Sequence, residues 1–142
     1  SGDSLQLLLE SITSEFKKIK QWFDINRLSI NLSKTTFMVF GNCKSKHQAQ
    51  IQIEGVNIEK VYENKFLGVI IDDKICWKLH IKHIKTKLSR SISVLARAKH
   101  ILDLKSLHIL YCSLLLPYLN YCVEVWGNTY QHLLQPLVIM QK

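Results

Sequence analysis

No two cysteines in this sequence lie close together. The four, Cys43, Cys76, Cys112 and Cys122, stand singly, whereas a zinc ribbon or a disulfide-stapled secreted domain needs tighter spacing. Scattered thiols of this kind fit a reduced, intracellular setting. Long apolar runs are missing too. The most apolar segment, Leu107 to Leu119, is interrupted by Cys112, Ser113 and Pro117, and it is too short to span a bilayer. The first residues lack a basic start followed by an apolar core, so a secretory leader is not expected there. Acidic residues are scarce where basic ones are dense. Between Lys78 and Lys105 eight Lys or Arg stand against one acid, Asp103, so this segment holds +7 of the chain's +8. A cationic density of that kind favours a polyanion as partner over a merely solvated face.

With 142 residues the chain suffices for one ordinary domain or two small ones with a real core. Apolar residues make up 47%, which argues against disorder. The organising stretch is Phe66 to Lys99. Phe66 to Ile71 is an apolar run of the length of one buried strand, followed by a polar break at Asp72, Asp73 and Lys74. From Trp77 the period changes. Trp77, Ile81, Ile84, Leu88, Ile92 and Leu95 recur at three- and four-residue steps, which predicts a long helix with one apolar side. Lys78, Lys82 and Lys85 run along one flank of that stripe, and Lys87, Arg90 and Arg97 along the other.

Before this joint, Leu8, Ile12, Phe16, Ile19 and Phe23 keep helical spacing and predict a helix from about Ser4 to Ile25, covering something on one side. Leu28, Ile30 and Leu32 alternate with polar residues, an extended pattern. Thr35 to Phe40 is dense in β-formers and is read as a strand. Asn42 to Gln50 is a polar loop. Ile51 and Ile53, the turn Glu54-Gly55, then Val56 and Ile58 make a small hairpin. After the basic helix, Asp103 is the expected N-cap of a second helix. Pro117 kinks or restarts that helix, and Gly127-Asn128 closes it. A third helix starts near Thr129 or Tyr130 and carries Leu133, Leu134 and Leu137 on its apolar side. The pattern starts and stops abruptly, so the chain is expected to be a piece of something larger.

Four blocks carry a family resemblance: Leu28-x-x-Asn31-x-x-Lys34-Thr35, Phe66-Leu67-Gly68-Val69, Trp77-x-x-His80-Ile81, and Tyr118-x-x-Tyr121-Cys122-x-x-x-Trp126-Gly127. In this order and at these distances the chain resembles the reverse transcriptases of non-LTR (LINE-type) retrotransposons, over essentially its whole length. The resemblance implies an α+β fold. A palm remnant at 1–76 (helix, strand, hairpin, strand) would hold motifs D and E, and a helical thumb of about three helices at 77–142 would follow, truncated at both ends. It implies an RNA template and a DNA primer as partners, beside the remainder of the polymerase palm and fingers. It further implies that no membrane is involved and that the location is intracellular and nuclear.

The resemblance also assigns roles. Lys34 matches the motif D lysine, a candidate proton donor to pyrophosphate, with Asn31 and Thr35 in support. An ammonium on a flexible stem suits that chemistry. Phe66, Leu67 and Gly68 match the primer grip, where a glycine lets backbone approach a sugar-phosphate closely. Lys78, Lys82, Lys85, Lys87 and Arg90 are the expected thumb contacts to phosphates. Both catalytic aspartate motifs are absent from this sequence, so divalent metal (Mg) is expected only for the complete polymerase, and this chain alone is expected to be inactive. Asp72-Asp73 imitates a metal-binding pair but is read as a polar turn. Cys76, His80 and His83 lack a fourth metal ligand, and His80 is read as structural. Tyr118, Tyr121 and Trp126 could stack on bases, although aromatics at helical spacing are more often core. Two other readings stay open: an independent basic helical module that binds nucleic acid or an acidic protein, and an inert relic of a mobile element.

Overall fold

Apolar residues at helical spacing set the first element, α1 (Asp3–Ile25), which begins and ends where the periodicity places it. The computed structural model describes residues 3–41 and 50–141; residues 42–49 of the expected polar loop, Cys43 included, lie outside the described residues. The chain folds as two compact units, Ser1–Glu63 and Asn64–Lys142.

In the first unit, α1 is followed by a turn of 3-10 helix (Leu32–Lys34), β1 (Thr36–Phe37), β2 (Ile51–Ile53) and β3 (Val56–Lys60). β2 and β3 form the expected hairpin, with Ile51 opposite Ile58 and Ile53 opposite Val56. β1 adds to the other side of β3 in parallel, Thr36 opposite Glu59. The sheet's inner face supplies the core: Ile51, Ile53 and Ile58 are buried, with Phe16 of α1, Leu32 and Phe37 packed on them. So small a sheet covers only part of α1. Phe16 and Phe23 are half-buried, but Leu8, Ile12 and Ile19 of the expected inward stripe are exposed, as is Trp22.

Two expectations change here. Leu28 to Leu32 joins no strand ladder: Asn31, itself extended, leads into the 3-10 turn at Leu32. The Asn31 carbonyl accepts from the Lys34 N–H and the Thr35 hydroxyl, and its side chain accepts from Ser33 Oγ. Local bonds of this kind compete with strand pairing. The strand read over Thr35 to Phe40 is ordered as a ladder at Thr36–Phe37 alone.

The second unit opens with β4 (Glu63–Phe66) and β5 (Val69–Asp72), a two-stranded hairpin rather than the single strand read from Phe66 to Ile71. Leu67 and Gly68 form its two-residue tip, both at positive φ (45° and 88°), as the twist of a tight hairpin demands. Then α2 (Lys78–Ala98) carries the predicted apolar stripe, burying Ile81, Ile84 and Leu88. Asp103 caps α3 (Leu104–Leu114) by accepting from the Ser106 N–H. The chain restarts around Pro117 as α4 (Leu116–Asn120) and breaks again at Cys122, which is left-handed at φ 52°. α5 (Val123–Trp126) and α6 (Gln131–Met140) follow. The second expected helix is thus three short ones. Leu115, Leu119, Trp126 and Leu137 close the core against α2.

Candidate nucleic-acid interface

Asp72 builds the joint between hairpin and helix. It is 5% exposed, and its carboxylate accepts from the backbone N–H groups of Lys74, Cys76 and Trp77 at 3.1–3.2 Å. Burial opposes its ionisation, yet these donors together outweigh burial and hold its pKa below the ordinary value. The carboxylate thereby fixes a loop in which Ile75 and Trp77 are both left-handed, a conformation that costs side-chain-bearing residues about 1–2 kcal/mol each. The turn reading of Asp72 is therefore the geometry found.

One turn into α2, His80 is 3% exposed. Its Nδ1 accepts from the Ile70 N–H at 3.3 Å, locking β5 to the helix. Its ring stands edge-on to Trp126. His80 is structural in this sense, but its Nε2 is buried and has no partner.

A cleft of about 410 Å³ opens between the hairpin tip, α2 and α4, and His80 borders it. Lys65 and Gly68 enter it from the hairpin, His83 and Lys87 from α2, and Tyr118 and Tyr121 from α4 and its end. Tyr121 Oη donates to the Leu67 carbonyl at 2.5 Å, and the Trp126 indole donates to the Tyr121 carbonyl at 2.9 Å. The tip is thus tied to the helical core. A Cβ on Gly68 would lie 3.2 Å from the Tyr121 ring, so glycine gives the tip its close approach. Leu67 is 73% exposed and left-handed, a strained apolar residue presented beside the cleft.

The electrostatics are one-signed. No acidic side chain lines the cleft, and among the described residues neither Lys65 nor Lys87 is in an ion pair. Burial, then the charges of Lys65 and Lys87, holds the His83 pKa below the ordinary imidazole value. Burial, then His83 and Lys65, does the same at His80. Such a site can take an anionic oxygen, with the tyrosine rings offering flat apolar surface beside it.

The residues singled out in the sequence divide between the units. Asn31, Lys34 and Thr35 come together on the 3-10 turn of the first unit, with Lys34 exposed. In the second unit the cleft brings Gly68 and Lys87 together, with Phe66 and Leu67 exposed at the hairpin's end. At about 100° per residue, Arg90 lies within about 60° of Lys87 around α2, on the same flank. Lys78, Lys82 and Lys85 are exposed on the other flank, Lys85 being about 160° from Lys87. Tyr118 and Tyr121, read as core, are 39% and 51% exposed and line the cleft, whereas Trp126 is core at 3%. Lys65 was not singled out in the sequence and His83 only as part of an incomplete metal set; the signal for Lys65 was its place directly before Phe66.

The described residues do not fit a divalent metal. Asp72 turns its carboxylate onto three N–H groups, and no three His, Cys, Asp or Glu side chains gather among the described residues. No described helix is long and apolar enough to cross a membrane.

No family model and no solved structure matches the chain. Among curated proteins it is similar to the probable RNA-directed DNA polymerase from transposon X-element of Drosophila melanogaster, 25% identical over 113 residues. That match covers 78% of this chain but 12% of the relative, so the chain spans a small part of the relative's length. The similarity supports a reverse-transcriptase-like origin for this α+β chain.

Proposed function

We propose that the chain is the palm-end and thumb portion of a retrotransposon RNA-directed DNA polymerase, and that its cleft holds the sugar-phosphate backbone of a template–primer. The observation that carries this reading is the unneutralised cluster Lys65, His83 and Lys87 beside the exposed tip Leu67–Gly68. A phosphate there would meet two ammonium groups and an imidazole, beside a tip that Gly68 lets close onto the Tyr121 ring. Phe66 and Leu67 supply apolar contact to a sugar face, and Arg90 extends the cationic flank along α2. Lys78, Lys82 and Lys85 add to the general positive field from the other flank. In a complete polymerase, Lys34 would donate a proton to the leaving pyrophosphate from the turn it shares with Asn31 and Thr35.

The test is equilibrium binding of a fluorescein-labelled RNA–DNA hybrid across a salt series. The expected result is log affinity falling linearly with log salt. Lys65→Gln with Lys87→Gln lowers the slope by about 1.5–2 units. Neutralising Lys78, Lys82 and Lys85 costs less affinity, although it removes one charge more. Salt-independent binding, or a larger loss from the outer triple, overturns the assignment of the cleft.

A further inference from the structure

The end of the second unit away from the hairpin holds an apolar groove of about 1110 Å³ between the C-terminal half of α2 and α3. Its floor is Ile92, Leu95 and Ala96 from α2 with Leu107 and Tyr111 from α3. α3 reads Leu104-Lys-Ser-Leu-His-Ile-Leu-Tyr-Cys-Ser-Leu, apolar around most of its circumference, yet none of its residues is fully buried. Leu104 is 83% exposed and Ile101, in the preceding loop, 86%. A helix of this composition is ordinarily covered.

Charge says what covers it. Lys99 and Lys105 stand at the groove's margin, inside the segment that carries +7. The one acid there, Asp103, also lines the groove but is engaged as the cap of α3, so the margin is net positive. A second copy of this chain would bring its own +7 segment against the first, which is repulsive at contact range. A nucleic-acid backbone would be desolvated over a floor that is mostly carbon, with only the Tyr111 hydroxyl and the His108 ring to replace its water. We infer that this groove is a docking site for an amphipathic helix of a partner protein, with leucine-type residues at helical spacing facing in and glutamates or aspartates along both edges to meet Lys99 and Lys105. This inference stands apart from the cleft and does not depend on its role.

The probe is a fluorescein-labelled designed helical peptide, about four turns long, with leucines on one face and glutamates along its edges; a twin carries lysines in place of the glutamates. Anisotropy with the full chain is expected to show saturable binding of the glutamate peptide, and affinity about tenfold or more lower for the lysine twin. Lys99→Glu with Lys105→Glu, both on the surface, reverses that preference. Leu104→Asp, placed where an acid favours the helix N-terminus, weakens binding without unfolding α3. Equal binding of the two peptides, or of neither, overturns the inference. Displacement of the peptide by an oligonucleotide would assign the groove to nucleic acid. A dimer of the chain that Leu104→Asp dissociates would assign it to a second copy.

Discussion

Replacing Asp72 by asparagine tests the carboxylate that fixes the loop of the strand-to-helix joint. The substitution keeps shape and volume but removes the charge and turns an NH2 group toward donors. Four contacts at 3.1–3.2 Å, from three backbone N–H groups, are affected. Hydrogen bonds to a charged acceptor contribute about 1.5–3 kcal/mol each. With partial retention through the amide oxygen, the loss is about 2–4 kcal/mol. Ile75 and Trp77 then have less to hold them left-handed, so the loop relaxes and the loss is not recovered. For a unit of this size that is a fall in Tm of about 10–20 °C, read by the far-UV helical signal at neutral pH. The dependence on pH has a definite sense. The folded pKa of Asp72 is depressed below 3.8, so its contribution is fully present above that value and disappears as pH falls through the folded one. The gap between parent and Asp72→Asn therefore holds down to about pH 4 and narrows below it. A variant that melts within about 2 °C of the parent, or a gap unchanged at low pH, refutes the assignment of Asp72 as the structural anion of the joint.

Gly68→Ala meets both a φ of 88° and the Tyr121 ring at 3.2 Å; it is expected to cost about 1–2 kcal/mol, seen as faster amide exchange across β4 and β5 and weaker binding of the hybrid. Tyr121→Phe removes the bond to the Leu67 carbonyl, and a loss of about 1 kcal/mol should appear in denaturant unfolding with an unchanged m-value. Burial and, after it, the Lys65 and Lys87 charges depress His83. A bound phosphate would offset those charges and raise its pKa, so binding takes up protons and strengthens as pH falls from 8 toward 6; calorimetry in two buffers of different ionisation enthalpy measures the uptake, and His83→Gln should abolish it.

Where sequence reading succeeded, one side of the pattern had a partner to bury it. The α2 stripe, the β2–β3 hairpin and the Asp103 cap are all local devices, complete within a few residues. It failed where the answer lay in backbone conformation or in a distant neighbour. Nothing in Phe66 to Ile71 announces a turn except Gly68, because the leucine beside it adopts a conformation that leucine ordinarily avoids. Leu28 to Leu32 alternates like a strand but has no strand beside it. Tyr121 looked like core because its helical spacing was legible, whereas its bond to a carbonyl 54 positions away was not. The cleft was only half visible in consequence: Gly68, Lys87 and the two tyrosines were named, the tyrosines with core as the favoured reading, while Lys65 and the grouping itself emerged from the packing.

The three tryptophans also divide the chain spectroscopically. Trp22 in the first unit is already 57% in water, while Trp126 in the second is 3% exposed and sits against His80. Unfolding of the second unit should therefore dominate any red shift in emission, and melting of the first should pass almost unseen. A single fluorescence trace then reports one half of the molecule, and comparison with a signal from the backbone of both halves tells whether they come apart together.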